Sequence, residues 1–144
     1  SKKDPLHRAP KLSPTNKERI RKSNAGGTWR DWDKKFLSPC HAKSSGKTYC
    51  SDYARMEWDK PAPTITTQFY GFGTGRFGHP EQDRALSIRE GAILQTFPKS
   101  YKFYHKRNPL PIKVLGVHIG NAVPVRLGTI IGKSIIKHLE NNDG

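Results

Sequence analysis

Apolar positions are sparse along this chain, and two stretches carry them at helical spacing. Ile88, Ala92 and Ile93 fall on one face, with Arg89 and Gln95 on the polar side. Ser87, followed three residues later by Glu90, makes a capping box. In that motif the serine oxygen accepts an orphan backbone N–H and the glutamate reaches back to the serine N–H. Pro98 has no N–H to donate and restricts the residue before it. The spacing predicts a helix from about Ile88 to about Thr96. The second stretch is Leu127, Ile131, Ile135 and Leu139, one face following the turn Gly120-Asn121-Ala122-Val123-Pro124. It predicts a last helix, on which Gly128 and Gly132 lie one turn apart and leave room for close approach. Ser13-Pro14 reads as an N-cap with proline at the first helical position. A short basic helix then runs to about Lys22 and stops at Asn24-Ala25-Gly26-Gly27.

Two segments read as short strands. Thr64-Ile65-Thr66-Thr67 is β-branched throughout and entered through Pro61 and Pro63, and Ile112 to Ile119 is the other. Ser1 to Lys11 reads as an extended basic arm, and Phe36 to Tyr53 as loop. Gly73, Gly75 and Gly78 spell G-x-G-x-x-G, but His79-Pro80 follows where a dinucleotide fingerprint needs a helix. A tightly turning loop is the better reading.

Composition narrows the class. In 144 residues there is room for one modest domain, and 33% hydrophobic residues with 13 Gly and 11 Pro mean a small core and much loop. Lys and Arg number 26 against 12 Asp and Glu, a formal charge of +14, so a polyanion is the expected partner, nucleic acid first. The sequence reads as having no long apolar run and no long amphipathic basic helix, so no membrane partner is expected. Two cysteines make no disulfide framework, and the polar, basic N-terminus carries no secretory signal. An intracellular, reducing location is the default expectation. The chain opens on Ser1, as a chain that lost its initiator or one cut from something longer.

Candidate chemistry is thin. Trp29-Arg30-Asp31-Trp32 offers bases a stacking surface beside an arginine for phosphate, although tryptophans in a small domain more often fill its core. Pro39-Cys40-His41 and Cys50 suggest a thiol nucleophile or metal ligands, but their spacing matches no common zinc pattern and structural roles are the better reading. No metal site is expected. The hydroxyls and backbone N–H groups of Thr64 to Thr67 suit phosphate oxygens. Asn121 and Ala122 sit before a helix N-terminus, where a polar ligand can dock, although from the residues alone a plain capped helix is the better reading.

Three blocks in order resemble the C-terminal third of a DNA cytosine-5 methyltransferase. The first is Arg55-Met56-Glu57-Trp58-Asp59-Lys60-Pro61-Ala62-Pro63-Thr64-Ile65-Thr66, similar to the end of that family's target recognition region. His79-Pro80-Glu81-Gln82-Asp83-Arg84 through Arg89-Glu90 to Leu94-Gln95-Thr96-Phe97-Pro98 resembles the ninth motif. Ile119-Gly120-Asn121-Ala122-Val123-Pro124 resembles the tenth. The resemblance covers about Arg55 to Ile136 well and Leu6 to Tyr53 more loosely.

The resemblance implies an α+β fold: a small recognition lobe of short strands and helices, plus a C-terminal helix that normally packs on a Rossmann-like methyltransferase domain. Residues 1–68 would be part of the target recognition region, and 69–144 a C-terminal segment with motifs nine and ten. It implies DNA contacts at Arg55, Lys60, Thr64, Ile65 and Thr66. It makes Arg84, Arg89, Glu90 and Gln95 a structural brace, and sets Asn121 and Ala122 beside the methyl donor S-adenosylmethionine. No residue is expected to be catalytic. The family's glycine-rich cofactor motif, Pro-Cys-Gln loop and Glu-Asn-Val block have no counterpart in these 144 residues. In that chemistry a thiolate attacks carbon 6 of an extruded cytosine, and carbon 5 takes the methyl group. The expected partners are therefore duplex DNA and a missing N-terminal catalytic part, as the rest of a split or longer enzyme. The last helix would pack on that part or on a second copy. The expected setting is a bacterial cytoplasm, at DNA, in restriction-modification. The alternatives are a stand-alone DNA-binding or regulatory module, and a basic RNA-binding protein.

Overall fold

Ser13 and Ser87 each cap the helix that the sequence predicts for them. In the computed structural model, which describes residues 4–104 and 110–142, Ser13 Oγ accepts the Asn16 N–H at 3.2 Å and opens α1, Pro14–Arg21. Four further helices follow among the described residues: α2 (Pro39–Ala42), α3 (Ile88–Leu94), α4 (Ile112–Gly120) and α5 (Val125–Asn142). At α3 the capping box is complete. Ser87 Oγ accepts the Glu90 N–H at 3.2 Å, and Glu90 Oε2 accepts the Ser87 N–H at 2.7 Å. The two remaining orphan donors of that turn, Ile88 N–H and Arg89 N–H, go to Arg8 O at 3.1 Å and Leu6 O at 3.0 Å. Residues 4–8 are thus docked on α3 rather than held out as an arm. Leu6 is buried in the core, and Asp4 pairs with Arg89.

The strand expectations are corrected. Residues 112–119 form α4, because Leu115, Gly116 and Ile119 at helical spacing turn one face into the core. Each fully buried aliphatic side chain is worth about 1.5–3 kcal/mol, which outweighs a β-branched propensity of a few tenths. Thr64 to Thr66 forms no strand among the described residues, and Thr67 begins a turn. Among the described residues, β pairing is limited to isolated bridges linking Ala25 to Arg55, Arg55 to Gly78 and Gly78 to Ala85. The expected α+β balance gives way to a small, largely helical chain. The segment 36–53, expected as loop, contains α2 and short 3₁₀ turns. Ile93, expected beside Ile88 and Ala92, is exposed while those two are buried. Ser100 to Pro111 reads from sequence as an aromatic and basic stretch, and its Lys106 and Arg107 lie outside the described residues.

Two apolar clusters hold these elements. One joins Leu6, Ile65, Phe69, Phe77, Leu86, Ile88, Ala92, Leu115 and Ile119. The other joins Ile20, Trp29, Trp32, Phe72 and Ala85. Helix α5 belongs to neither: Leu127, Ile130, Ile131, Ile135, Ile136 and Leu139 are all exposed. The span 112–141, read from sequence as lacking a long apolar run, is long and apolar enough by composition to cross a membrane. It is broken at residues 121–124, and its first half is anchored in the core through Leu115 and Ile119.

Candidate functional site

The three sequence blocks meet at one place, the turn between α4 and α5. Gly120 ends α4 against the backbone of the threonine segment: a β-carbon there would stand 2.5 Å from both Thr66 O and Thr67 N. Gly116, one turn earlier, leaves room for the Tyr70 ring in the same way. From the other side comes Gln95, at the end of α3. Its buried side-chain amide donates to Ile119 O at 3.0 Å and to Ala122 O at 3.1 Å. Its carbonyl accepts the Val125 N–H at 3.3 Å, and Thr96 Oγ1 accepts the Arg126 N–H at 3.0 Å. Residues 95–96 therefore tie down both ends of the 121–124 turn.

At that turn Asn121 is exposed and Ala122 half-buried. Their N–H groups close α4, donating to Val117 O at 3.0 Å and Ile119 O at 3.2 Å. Asn121 offers its side chain outward, while the first N–H groups of α5 are partly taken by residues 95 and 96. The threonine segment alternates. Ile65 is buried and pins it, leaving Thr64 and Thr66 exposed on the outer side. Of the five expected DNA contacts, Thr64 and Thr66 are thus presented to solvent, and Ile65 serves as their anchor. Lys60 is exposed and pairs with Glu57 at 3.1 Å.

Arg55 is elsewhere. It is 4% exposed, and its guanidinium makes six hydrogen bonds inside the fold. Nε and Nη2 donate to Ile20 O and Ser23 O at the end of α1, where free carbonyls and the helix dipole favour a cation. Nη1 donates to His79 O at 2.7 Å and Gln82 O at 2.8 Å, and Nη2 also meets Asp83 at 2.7 Å. The side chain ties α1 to the 79–83 turn and has no face toward a phosphate.

Two of the brace residues are joined by charge, and a third, Arg89, pairs with Asp4. Arg84 grips Glu90 with two bonds of 2.6 and 2.7 Å. Burial pushes the Glu90 carboxyl up, but Arg84 and the Ser87 N–H outweigh it and bring its pKa down to about 2. His79 packs beside this pair. Its Nδ1 accepts the N–H groups of Glu81 and Gln82 at 3.1 and 3.0 Å, and burial, then the Arg84 charge, holds its pKa below the usual histidine value.

The aromatic reading of Trp29 and Trp32 resolves toward the core. Both are buried, and Trp29 stacks on His41 with ring centroids 4.2 Å apart rather than offering a face to a base. Burial holds His41 below its usual pKa. Cys40 and Cys50 are exposed and joined by no disulfide, and Cys50 Sγ accepts an Arg30 N–H at 2.8 Å. Among the described residues, no group of three His, Cys, Asp or Glu is placed to hold a metal ion.

Sequence comparison meets this geometry. The C-5 cytosine-specific DNA methylase family matches residues 3–137. Type II methylase M.HgiDII of Herpetosiphon aurantiacus is 56% identical over 137 residues, 95% of this chain and 38% of that protein. Type II methyltransferase M.Eco47II of Escherichia coli is 37% identical over 119 residues, 80% of this chain and 27% of that protein. Type II methyltransferase M.AquIB of Picosynechococcus sp. is 31% identical over 134 residues, 88% of this chain and 84% of that protein. The chain thus spans well under half of the first two relatives and most of the third.

Proposed function

This chain belongs to the C-5 cytosine-specific DNA methylase family, and we propose that it is the DNA-recognition and cofactor-completing part of a cytosine-5 methyltransferase. It would act with an N-terminal part, on a second chain or on the same longer one, that carries the nucleophilic cysteine. One observation carries the reading. Gly120, the end of the proposed cofactor wall, lies against the Thr66–Thr67 peptide of the proposed DNA-contacting segment, and Gln95 fixes the backbone on either side of Gly120 at Ile119 and Ala122. A segment that touches DNA and a turn that touches the methyl donor need a fixed spacing, since reacting groups must be held at near-contact distance.

In this reading Thr64 and Thr66 hydrogen-bond DNA phosphates, Ile65 anchors them, and Lys60 adds charge. Arg55 is reassigned from DNA contact to the fold. The residues at 121–124 fit one wall of an S-adenosylmethionine site: an outward amide at Asn121 and a small side chain at Ala122 leave space for a ligand. When bound, that donor supplies the methyl group. The chain's own part is to orient it and to hold the DNA segment alongside. The exposed aliphatic face of α5 would pack on the catalytic part, a better match for six outward Leu and Ile side chains than open solvent. The coverage of M.AquIB supports a separate chain of about this length, while that of M.HgiDII fits a piece of a longer one equally well. The type II names of the relatives support a restriction-modification setting in a bacterial cytoplasm.

The test is complementation. The chain, mixed with the N-terminal part of a close relative such as M.HgiDII, is expected to restore transfer of a labelled methyl group to duplex DNA. A stable complex without transfer would count against the enzyme reading and favour a DNA-binding module.

A further inference from the structure

Thr96 stands in a backbone conformation that β-branched residues rarely adopt: its φ is +61°. It follows Gln95, the C-cap of α3. Its N–H donates to Ile93 O at 2.8 Å, and the Phe97 N–H donates to Ala92 O at 3.0 Å. These two bonds form a Schellman ending, whose left-handed position is ordinarily glycine because glycine has no β-carbon to clash. A threonine kept there against that preference points to a contact that glycine would lose.

That contact is the hydroxyl. Thr96 Oγ1 accepts the Arg126 N–H at 3.0 Å, and Arg126 belongs to the first turn of α5, where N–H groups lack intrahelical partners. The bond spans thirty positions of sequence and joins the end of α3 to the start of α5. Phe97 packs on Tyr101 and Phe103, with ring centroids 5.0 Å away in both cases, and holds the strained turn from behind. Gln95 already secures the α4 side of the 121–124 turn through Ile119 O and Ala122 O. Thr96 secures the α5 side.

We propose that Thr96 is a positioning residue: capping α5 from the end of α3, it sets where α5 begins and so where Asn121 and Ala122 lie. The consequence for the methyl donor rests on the function proposed above, whereas the capping does not.

Two variants of the full chain separate these statements. Thr96→Gly relaxes the backbone and removes the acceptor, and Thr96→Ser keeps the acceptor. By NMR-detected amide exchange, the Arg126 amide is expected to exchange about tenfold faster in Thr96→Gly and at the wild-type rate in Thr96→Ser, with α3 unchanged. An Arg126 amide as protected in Thr96→Gly as in the wild type overturns the proposal. In the complemented enzyme, Thr96→Gly is expected to raise KM for S-adenosylmethionine about tenfold with kcat near wild type, and Thr96→Ser to restore it. Faster exchange with KM unmoved overturns the link to the donor site. If even wild-type mixtures transfer no methyl group, the proposed function fails, and the exchange rates still decide the capping.

Discussion

Gly120 lies against the carbonyl of Thr66 so closely that a β-carbon at position 120 would stand 2.5 Å from it. The obstacle is backbone, which cannot swing aside. Gly120→Ala is therefore expected to destabilise the chain by roughly 1–3 kcal/mol. Gly128 is the control, since nothing lies within 4 Å of a β-carbon there. Gly128→Ala in the same chain is expected to gain about 0.5–1 kcal/mol from helix propensity alone. Urea denaturation of both variants checks the contrast, and a Gly120→Ala variant as stable as the wild type would remove the contact from the fold.

Arg55 separates folding from binding. Replacing it by methionine would leave the carbonyls of Ser23 and His79 without their donor and take one of two donors from those of Ile20 and Gln82, at a cost of about 3–5 kcal/mol. The expected outcome is a large loss in the denaturation midpoint. A fully stable Arg55→Met with weakened DNA binding would restore the DNA-contact role.

Glu90 gives the chain an acid-sensitive brace. Its folded pKa of about 2 lies below the ordinary 4.5, so its contribution is present above pH 4.5 and lost as pH falls toward 2. The size is on the order of 3 kcal/mol. His79 acts in a higher window. Its folded pKa is depressed, so stability falls as pH drops below 6.5, where the unfolded chain takes up the proton more readily. Denaturation midpoints across pH 7 to 2 check both. The gap between wild type and Glu90→Gln should close at the acid end, and a constant gap would argue against the carboxylate.

The legible parts of this fold were local in sequence. Ser87 with Glu90, and Ser13 with Pro14, announce their helices because each cap closes within four residues. Residues 112–119 misled because β-branched residues suggest a strand, and only Tyr70 and the Thr66–Thr67 peptide, seated on Gly116 and Gly120, reveal the helical face. Thr64 to Thr67 looked like a strand without any sign that it has no partner strand among the described residues. The role of Arg55 depends on acceptors 24 to 35 positions away, so motif position alone suggested a surface contact. For the candidate site, the blocks themselves were visible, while the contact that joins them was not.

Binding to duplex DNA should be governed by salt. The chain alone is expected to bind weakly, with affinity falling steeply as salt rises, because phosphate neutralisation dominates for a +14 chain. Lys60→Ala should reduce the salt slope by about one. Salt-insensitive binding would contradict the DNA assignment, and tighter binding of single-stranded RNA would favour an RNA-binding protein.

The most direct test asks whether the two sides of the Gly120 contact do different work. In the complemented enzyme, methyl-donor and DNA affinities would be measured for Asn121→Ala and for Thr64→Ala with Thr66→Ala. The expected result is weaker donor binding with unchanged DNA affinity for Asn121→Ala, and weaker DNA binding with unchanged donor affinity for the threonine pair. The reverse pattern, or no effect of Asn121→Ala on the donor, would contradict a cofactor wall built on the α4–α5 turn.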